Sequence, residues 1–458
     1  MYHPLLLPDL RIMLDEDDTQ GLAEFCDVLY PAVTAEVLEG LETDEIWQVL
    51  SHCDLNRQVE IFEFMSLPRQ LELVETRDRK QLSGLLEEMS PDDRADLLAR
   101  LGKEKVDELL PLIAQAERSD IRKLLSYPED SAGSIMTTEY ASLPEEITVR
   151  EALDRLRSQA PDRETIYYVY ILDEDRRLHG FTSLRDLILA KPDAILADIM
   201  QRGVISVRVD QDQEFVAQEM ARYDFLAIPV IDNQNHLVGI ITYDDILDIV
   251  QEEATEDAHL LGAVSPLEDS YLETPLITIS RKRGVWLLVL SVMALFTAEV
   301  LHHYDVQKTA DLTGLGWMVL FLPLVLASGG NAGAQSATLI IRSLALGEIT
   351  RQQTLTMAKR ELLVGSILGL CVGLVGFFAA FIWFDLDLRQ AGTVASTVFS
   401  IVIVGTVCGA MLPVLFKSWG MDPALMSTPL IAAIVDVLGV IIYYNMAFLL
   451  VGPPEIAP

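Results

Sequence analysis

A single carboxylate stands in the middle of an apolar stretch near the end of the chain. Asp436 interrupts the sequence PLIAAIVDVLG, and a charge at membrane depth costs several kcal/mol unless it faces water or a partner. Ala432, Asp436 and Gly439 are spaced so that a helix would place them on one face. A carboxylate with small neighbours leaves room for a hydrated cation, which predicts an ion site. A protonated Asp bonded to a neighbouring helix is the alternative.

A second unusual run lies in an earlier apolar stretch, between Pro323 and Gln335, and reads PLVLASGGNAGAQ. Glycines and an Asn within a membrane helix have two explanations. Small residues allow helices to pack closely. They also permit a break in the helix that turns backbone carbonyls towards a cavity. The sequence leaves both open.

Acidic residues are concentrated in the first part of the chain. The net charge is −35; residues 1–283 hold 27 Lys and Arg against 59 Asp and Glu, whereas residues 284–458 hold 7 against 10. Such a surface repels phosphate, which excludes nucleic acid as a partner, and it attracts cations. A well-solvated acidic surface with no further role is the alternative.

Five stretches are long enough to cross a bilayer, which takes about 20 mostly apolar residues. They are 284–303, a part of 312–341, 362–384, 390–416 and 428–451. Arg281, Lys282 and Arg283 precede the first, and Lys417 lies between the fourth and fifth. The positive-inside rule therefore predicts a multi-pass protein of the cell (inner) membrane, with its N-terminus in the cytosol and its C-terminus outside.

Residues 1–130 are predicted to form a helical-repeat N-domain. Segments that begin at Leu38, Phe62 and Leu86 (LEGLETD, FEFMSLP and LEEMSPD) recur at a 24-residue interval. Each is a hydrophobic helix end followed by a capping residue and a new amphipathic start. This is typical of a small α-superhelix whose repeats bury their faces against one another.

Residues 131–254 contain a second internal repeat. GFTSLRD (180–186) is matched by GIITYDD (239–245), and each follows a short β-rich run. The order β-α-β-β-α, twice, resembles a tandem pair of cystathionine-β-synthase (CBS) modules, 131–196 and 197–254. The resemblance implies that Ser183 with Asp186, and Thr242 with Asp245, hold an adenosine ribose. Capping of the following helices is the alternative.

In order along the chain, the helical repeats, the twin CBS modules, the acidic segment EEATED, the five spans and the two membrane motifs resemble the MgtE family of magnesium transporters. The resemblance implies a multidomain homodimer: an all-α superhelical N-domain (1–130), an α/β CBS pair, a linker (plug) helix (255–283) and a five-helix transmembrane pore domain (284–458). Asp436 would hold a hydrated Mg²⁺ near the two-fold axis, with Ala432 and Asn331 nearby. This agrees with the reluctance of Mg²⁺ to shed water.

The resemblance also implies gating by cytosolic Mg²⁺ that bridges the acidic faces of the N-domain, CBS modules and linker helix. The matching positions are Asp93, Asp96, Asp224, Asp245, Asp248, Glu253, Glu256 and Asp257. ATP, or another adenine nucleotide, is implied as a regulator that is not hydrolysed, with Phe225 as a stacking surface. Glu299, near the outer end of the first span, is a hypothetical second cation site.

No constellation for an enzyme is visible, and no GxxxxGK[ST] loop is present. We therefore expect downhill transport. The alternative hypotheses are a CBS-gated channel for Mn²⁺ or Co²⁺, and a membrane-anchored CBS sensor of nucleotides or ions without transport. The spans contain no His/Cys cluster that would favour a softer metal, and an anchor alone would not need a central Asp.

Overall fold

The computed structural model describes residues 3–77, 79–101, 103–113, 115–267, 271, 274–304, 316–346, 349 and 353–452. The chain divides into two compact units, Met1–Val250 and Gln251–Pro458.

The first unit begins with short helices stacked in two rows. These helices are α1 (His3–Asp15), α2 (Thr19–Val28), α3 (Pro31–Leu38), α4 (Thr43–Leu50), α5 (Leu55–Glu63), α6 (Leu67–Thr76), α7 (Arg79–Glu88), α8 (Pro91–Arg100), α9 (Lys103–Leu109) and α10 (Gln115–Leu124). Helices two positions apart pack together, α1 on α3 on α5 on α7 in one row and α2 on α4 on α6 on α8 on α10 in the other. Each helix thus buries its apolar face on its neighbours, as expected for a superhelix.

The 24-residue repeat has a counterpart in the hydrogen bonds of this region. Glu39 Oε1 accepts from the Ser66 N–H at 3.1 Å, and Glu63 Oε1 accepts from the Ser90 N–H at 3.0 Å. Ser66 and Ser90 are the N-cap residues of α6 and α8. The glutamate in the second position of the first two repeats therefore ties the end of one helix to the start of another.

The described residues then form two three-stranded sheets of identical topology. The strands are β1 (Tyr140–Pro144), β2 (Thr165–Leu172), β3 (Leu178–Ser183), β4 (Val207–Arg208), β5 (Ala227–Ile231) and β6 (Leu237–Thr242); the helices are α11 (Val149–Gln159), α12 (Leu184–Leu189), α13 (Leu196–Ile199), α14 (Gln213–Tyr223) and α15 (Tyr243–Leu261). In each sheet the first strand is parallel to the second, and the third is antiparallel to it. The predicted order β-α-β-β-α is present in both halves of the pair.

The acidic segment EEATED lies in α15 and not in a separate helix. The predicted linker helix 255–283 is wrong in its bounds, because α15 already begins at Tyr243 and ends at Leu261. Gly262 follows, Ala263 adopts a left-handed φ of 56°, and Pro266 lies three residues further on. These residues end the helix, since Pro lacks the N–H that would continue it.

Among its described residues, the second unit contains five helices that are long and apolar enough to cross a membrane, as predicted. They are α16 (Leu276–His303), α17 (Trp317–Ala345), α18 (Thr354–Phe378), α19 (Leu388–Ser418) and α20 (Thr428–Leu450). α18 continues as a short π-helical turn, Ala379–Trp383. α19 is central because it packs on α17, α18 and α20, whereas α16 packs on α20.

The glycine run of α17 serves close packing. The helix is continuous from Trp317 to Ala345, so the alternative of a break is wrong. A Cβ atom on Gly405 of α19 would lie 2.4 Å from the Gly329 carbonyl oxygen, and one on Gly409 would lie 2.2 Å from the Gly333 carbonyl oxygen. Only glycine allows the two backbones to approach this closely.

Candidate ion sites and nucleotide cleft

Asp436 lies half-buried on α20, beside the glycine run of α17. A Cβ atom on Gly330 would lie 3.3 Å from the Ala432 Cβ and 3.8 Å from Asp436 Oδ1. The absence of a side chain on Gly330 therefore lets the backbone of α17 come close to the carboxylate, and a side chain there would crowd Ala432. The two membrane motifs, separated by about a hundred residues of sequence, meet here.

The side of α17 on which Asn331 is exposed is more polar than a surface that faces lipid. This side carries Pro323, Ala327, Asn331, Gln335 and Thr338, with the exposed Leu320 and Leu339 at its two ends. Beyond Glu361, almost all exposed residues of α18 are large and apolar; they include Leu363, Ile367, Leu370 and Leu374. Because amide and hydroxyl groups are costly against hydrocarbon, this side of α17 requires water or another protein surface.

In the first unit, seven carboxylates from four parts of the chain interact electrostatically. We call them the acidic cluster: Glu63, Asp92, Asp93, Glu164, Asp244, Asp245 and Asp248. They come from the end of α5, the first turn of α8, the residue before β2 and the first two turns of α15. The structure thus brings acidic residues of the helical region next to acidic residues of the CBS pair.

The cluster carries an electrostatic cost when it is ionised. Burial, opposed by the Ser90 N–H and reinforced by Asp93, raises the pKa of Glu63 to about 7. Burial and then Asp245 raise the pKa of Glu164 to about 7, and burial raises that of Asp245 to about 6. Asp92 is 8% exposed, and burial followed by repulsion from Asp245 raises its pKa well above the ordinary value. A cation among these groups would relieve the repulsion.

The remaining predicted regulatory residues lie elsewhere. Asp96 is exposed on α8, and Asp224 ends α14 in a left-handed conformation with φ of 54°. Glu253, Glu256 and Asp257 follow in the second half of α15. Burial raises the pKa of Asp257, and Asp422 raises it further while Arg342 opposes the shift. Asp422 had no role in the sequence prediction.

Across the part of the chain that the structure describes, no three His, Cys, Asp or Glu side chains converge tightly enough to hold a metal ion by themselves. This geometry does not exclude Mg²⁺, which keeps several of its waters and uses one or two carboxylates. Glu299 is exposed on α16, four residues before the helix ends at His303.

A small, partly open cleft lies in the CBS pair. Its walls are mainly aromatic and apolar: Tyr168, Tyr170, Phe181, Val204, Ile205, Phe225, Ala227 and Pro229. Tyr168 and Phe181 meet edge to face with centroids 5.7 Å apart. The Tyr170 hydroxyl is buried and has no hydrogen-bond partner among the described residues. An aromatic cleft with one unpaired hydroxyl suits a planar base.

Of the five residues predicted to bind a nucleotide, only Phe225 lines this cleft. Ser183 Oγ donates to Asp186 Oδ2 at 2.7 Å and accepts from the Asp186 N–H at 3.0 Å, capping α12. Thr242 Oγ1 donates to Asp245 Oδ2, and Asp245 belongs to the acidic cluster. For both pairs the capping alternative describes the observed hydrogen bonds.

Comparison with known families covers most of the chain. Residues 322–446 match the model "Divalent cation transporter" (MgtE), 29–130 match "MgtE intracellular N domain", and 132–193 and 196–252 match "CBS domain". The magnesium transporter MgtE of Thermus thermophilus is 37% identical over 448 residues, which is 97% of this chain and 98% of that protein. The chain belongs to the MgtE family. The magnesium transporter MgtE of Bacillus subtilis is 30% identical over 447 residues, 98% of each chain.

Two solved structures from MgtE proteins resemble the N-terminal half. The cytosolic domain of the Mg²⁺ channel MgtE in complex with ATP is 39% identical, with a TM-score of 0.50, and covers 53% of this chain and 99% of its own. The soluble part of a magnesium transporter is 35% identical, with a TM-score of 0.52, and covers 54% and 98%. The MgtE family is one of transporters, which agrees with the expectation that this chain is not an enzyme.

Sequence reasoning missed several residues of this MgtE family member that the structure places at the candidate sites. Gly330 was noted only as part of a small-residue run. Tyr168 and Tyr170 were available from the period of two in β2, which puts both on one face of the strand. Glu63, Asp92 and Glu164 had no local signal, because only the packing of the helical region on the CBS pair makes them neighbours.

Proposed function

We propose that this protein is a Mg²⁺-selective channel or transporter for downhill magnesium uptake. The observation that carries the proposal is the meeting of Gly330, Ala432 and Asp436, which places a half-buried carboxylate beside a backbone without a side chain in an apolar helix long enough to cross a membrane. Asp436 would hold the ion through its waters, with the Ala432 carbonyl and Asn331 nearby. The site would then select ions by the size of their hydrated form, since Mg²⁺ dehydrates reluctantly.

The membrane potential is a sufficient driving force. A divalent cation gains about 4.6 kcal/mol per 100 mV of inside-negative potential, twice the value for a single charge. We propose that the acidic N-terminal half lies in the cytosol and the C-terminus outside. Basic residues mark the start of the first span and the end of the fourth: Arg281, Lys282, Arg283 and Lys417. Such residues are concentrated on the cytosolic side of membrane proteins.

We propose that the pore forms between two copies of the chain. The polar side of α17 supports this, because a second copy would cover it and enclose water. The CBS region also has a surface that a second copy could cover. Tyr243, Leu247 and Val250 are each about half-exposed, and their spacing places them on one face of α15. Apolar side chains grouped in this way mark a protein interface.

We propose that cytosolic Mg²⁺ closes the pore by bridging carboxylates. Without the ion, the acidic cluster is self-repelling and favours separation of the helical region from the CBS pair. With it, the closed arrangement is favoured by the differential affinity of the two states for Mg²⁺. Asp93, Asp245 and Asp248 act within the cluster. Asp96, Asp224, Glu253, Glu256 and Asp257 are proposed as further contributors.

We propose that the aromatic cleft binds ATP or another adenine nucleotide without hydrolysis. Tyr168, Phe181 and Phe225 would contact the base, and the unpaired Tyr170 hydroxyl would donate to the ligand. The related cytosolic domain was solved as an ATP complex, which supports this assignment.

The transport proposal is tested by Mg²⁺ flux into proteoliposomes. We expect Asp436→Ala to abolish flux, and Asp436→Asn to lower it at least about tenfold because the ion loses its charged partner. Asp385→Asn is the matched control, because Asp385 is an exposed acidic residue between α18 and α19. Mn²⁺ and Co²⁺ measured in the same vesicles would decide ion preference. Undiminished flux in Asp436→Ala would refute the pore assignment.

The gating proposal is tested by the cytosolic Mg²⁺ concentration that half-closes the pore. Asp92→Asn removes one carboxyl group from the acidic cluster and should change this concentration by about fivefold, the effect of roughly 1 kcal/mol of differential binding. Asp9→Asn, at an exposed position of α1, should leave the half-closing Mg²⁺ concentration unchanged. Equal closure in the two variants would speak against gating through the cluster.

A further inference from the structure

α17 is joined to two neighbouring helices by a polar contact inside the membrane unit. Ser336, which is 4% exposed, lies with its Oγ 2.8 Å from Glu361 Oε2 on α18 and 2.9 Å from the Thr406 carbonyl oxygen on α19. A serine hydroxyl has one proton and donates to one acceptor at a time. A carboxylate is a stronger acceptor than a carbonyl oxygen, and the Thr406 carbonyl oxygen can also accept within its own helix. The Ser336 hydroxyl therefore donates mainly to Glu361.

Two glycines lie close to this polar contact. One turn after Glu361, a Cβ atom on Gly365 would lie 2.3 Å from Thr406 Oγ1. One turn before Ser336, a Cβ atom on Gly333 would lie 3.1 Å from the Gly405 carbonyl oxygen. Ser336 is thus surrounded by backbone on both sides, and Glu361 reaches it across the groove between α18 and α19.

Glycine-on-glycine contacts bring backbones together but do not fix their register. In ridge-and-groove packing the side chains of one helix lock between those of the next. At Gly329 and Gly333 of α17 only the partner helices contribute side chains, Ile401, Val435 and Ile431. A hydrogen bond in a water-poor interior adds a directional contact that limits rotation and sliding of α17.

We infer that Glu361 is a positioning residue for the pore, acting through Ser336. Its carboxylate holds the Ser336 hydroxyl and thereby sets the rotation and height of α17. Gly330 and Asn331 lie on the same helix about 9 Å away along its axis, so their placement opposite Asp436 follows from this anchor. The inference rests on the proposed pore at Asp436.

The test separates apparent affinity from maximal rate in the proteoliposome Mg²⁺ assay. We expect Ser336→Ala and Glu361→Leu each to weaken the apparent affinity for Mg²⁺ by about three- to tenfold, the range of a single hydrogen bond between membrane helices. Maximal flux should change less, because Asp436 is still present. Glu361→Gln keeps an acceptor oxygen for Ser336 and should retain the affinity of the unmodified protein.

A double-mutant cycle decides whether the two residues act together. Ser336→Ala combined with Glu361→Leu should be no worse than the more severe single variant, since both remove the same contact. Ser366→Ala is the matched control in α18, because its hydroxyl donates within its own helix to the Leu362 carbonyl oxygen at 2.7 Å. It should behave as the unmodified protein.

Folding is monitored for each variant by its native mass and thermal unfolding in mild detergent. If Glu361→Leu does not fold, Ser336→Ala and Glu361→Gln still carry the test. Unchanged affinity in Ser336→Ala, additive effects in the double variant, or loss of affinity in Glu361→Gln would each overturn the inference. These results would leave the proposed function standing as long as Asp436→Ala abolishes flux; persistent flux in Asp436→Ala would instead remove the pore itself.

Discussion

At the scale of single residues, the molecule uses carboxylates in two different environments. Asp436 lies beside the small residues Gly330 and Ala432, so in the proposed pore a cation would meet one charge through its shell of water. The acidic cluster places seven carboxylates near each other, where each ionisation makes the next more costly. The first arrangement suits an ion in transit, and the second suits a response that depends on ion concentration.

The cluster predicts a dependence of stability on pH. Glu63, Glu164 and Asp245 have pKa values raised to about 7, 7 and 6, whereas in the unfolded chain they titrate near pH 4. Folded protein therefore binds more protons than unfolded protein between about pH 4 and 7, and stability falls as the pH rises through this window.

Thermal unfolding of the full chain in chelator should measure this effect. We expect the midpoint to be about 2–4 °C lower at about pH 8 than at about pH 5.5, the shift expected for roughly 1 kcal/mol. Mg²⁺ added at the higher pH should recover the loss. The double variant Glu63→Gln with Glu164→Gln should show a smaller pH dependence. A midpoint independent of pH in the unmodified protein would argue against a strained cluster.

At the scale of elements, α19 organises the membrane unit. It contacts α17, α18 and α20, and glycines at the contacts with α17 and α18 let the backbones approach. α17 thereby comes close enough to α20 for Gly330 to lie beside Asp436. The site depends on this close packing, since a wider spacing would fill with side chains or lipid.

The glycine contacts predict a position-specific sensitivity within one helix. A Cβ atom on Gly409 would lie 2.2 Å from the Gly333 carbonyl oxygen, whereas one on Gly392 would meet nothing within 4 Å. Gly409→Ala should destabilise the protein by about 1–3 kcal/mol through overpacking and reduce Mg²⁺ flux. Gly392→Ala, the control on the same helix, should leave both unchanged. The two variants are compared by thermal unfolding in detergent and by Mg²⁺ flux. Equal effects in the two variants would contradict this packing.

At the scale of the whole molecule, charge and hydropathy are separated along the chain. The N-terminal part carries nearly all of the net charge of −35, and the C-terminal part supplies the membrane helices. Five helices are few to enclose a pore, and a two-fold assembly supplies ten. The exposed polar side of α17 and the exposed apolar face of α15 are the surfaces that we expect to be covered in it.

This assembly predicts that the α15 face affects native mass. Leu247 is 52% exposed in a single chain, and Leu247→Lys would place a charge in the proposed interface. We expect a lower dimer fraction on dilution in detergent, by about tenfold in the dissociation constant for roughly 1.4 kcal/mol. Leu5→Lys, at a residue 74% exposed on α1, is the control. Identical dimer fractions for the two variants would exclude α15 from the interface.

The sequence by itself determined the division of the chain and its family. Periodicity and hydropathy act over neighbouring residues, so five spans, a helical repeat and two β-α-β-β-α units could be predicted from local pattern. The membrane Asp436 could be identified because a charge in an apolar stretch is conspicuous wherever it occurs. The bounds of the linker helix could not, since α15 continues through residues with no break before Gly262.

Only the tertiary structure decided which distant residues are neighbours. Gly330 and Asp436, Glu63 and Glu164, and Ser336 and Glu361 are each brought together by helix packing, which no spacing in the sequence encodes. The role of the α17 glycines was likewise undecided until the helix proved continuous, because close packing and a helix break use the same residue types. Local pattern fixes what an element is, and packing fixes what its side chains meet.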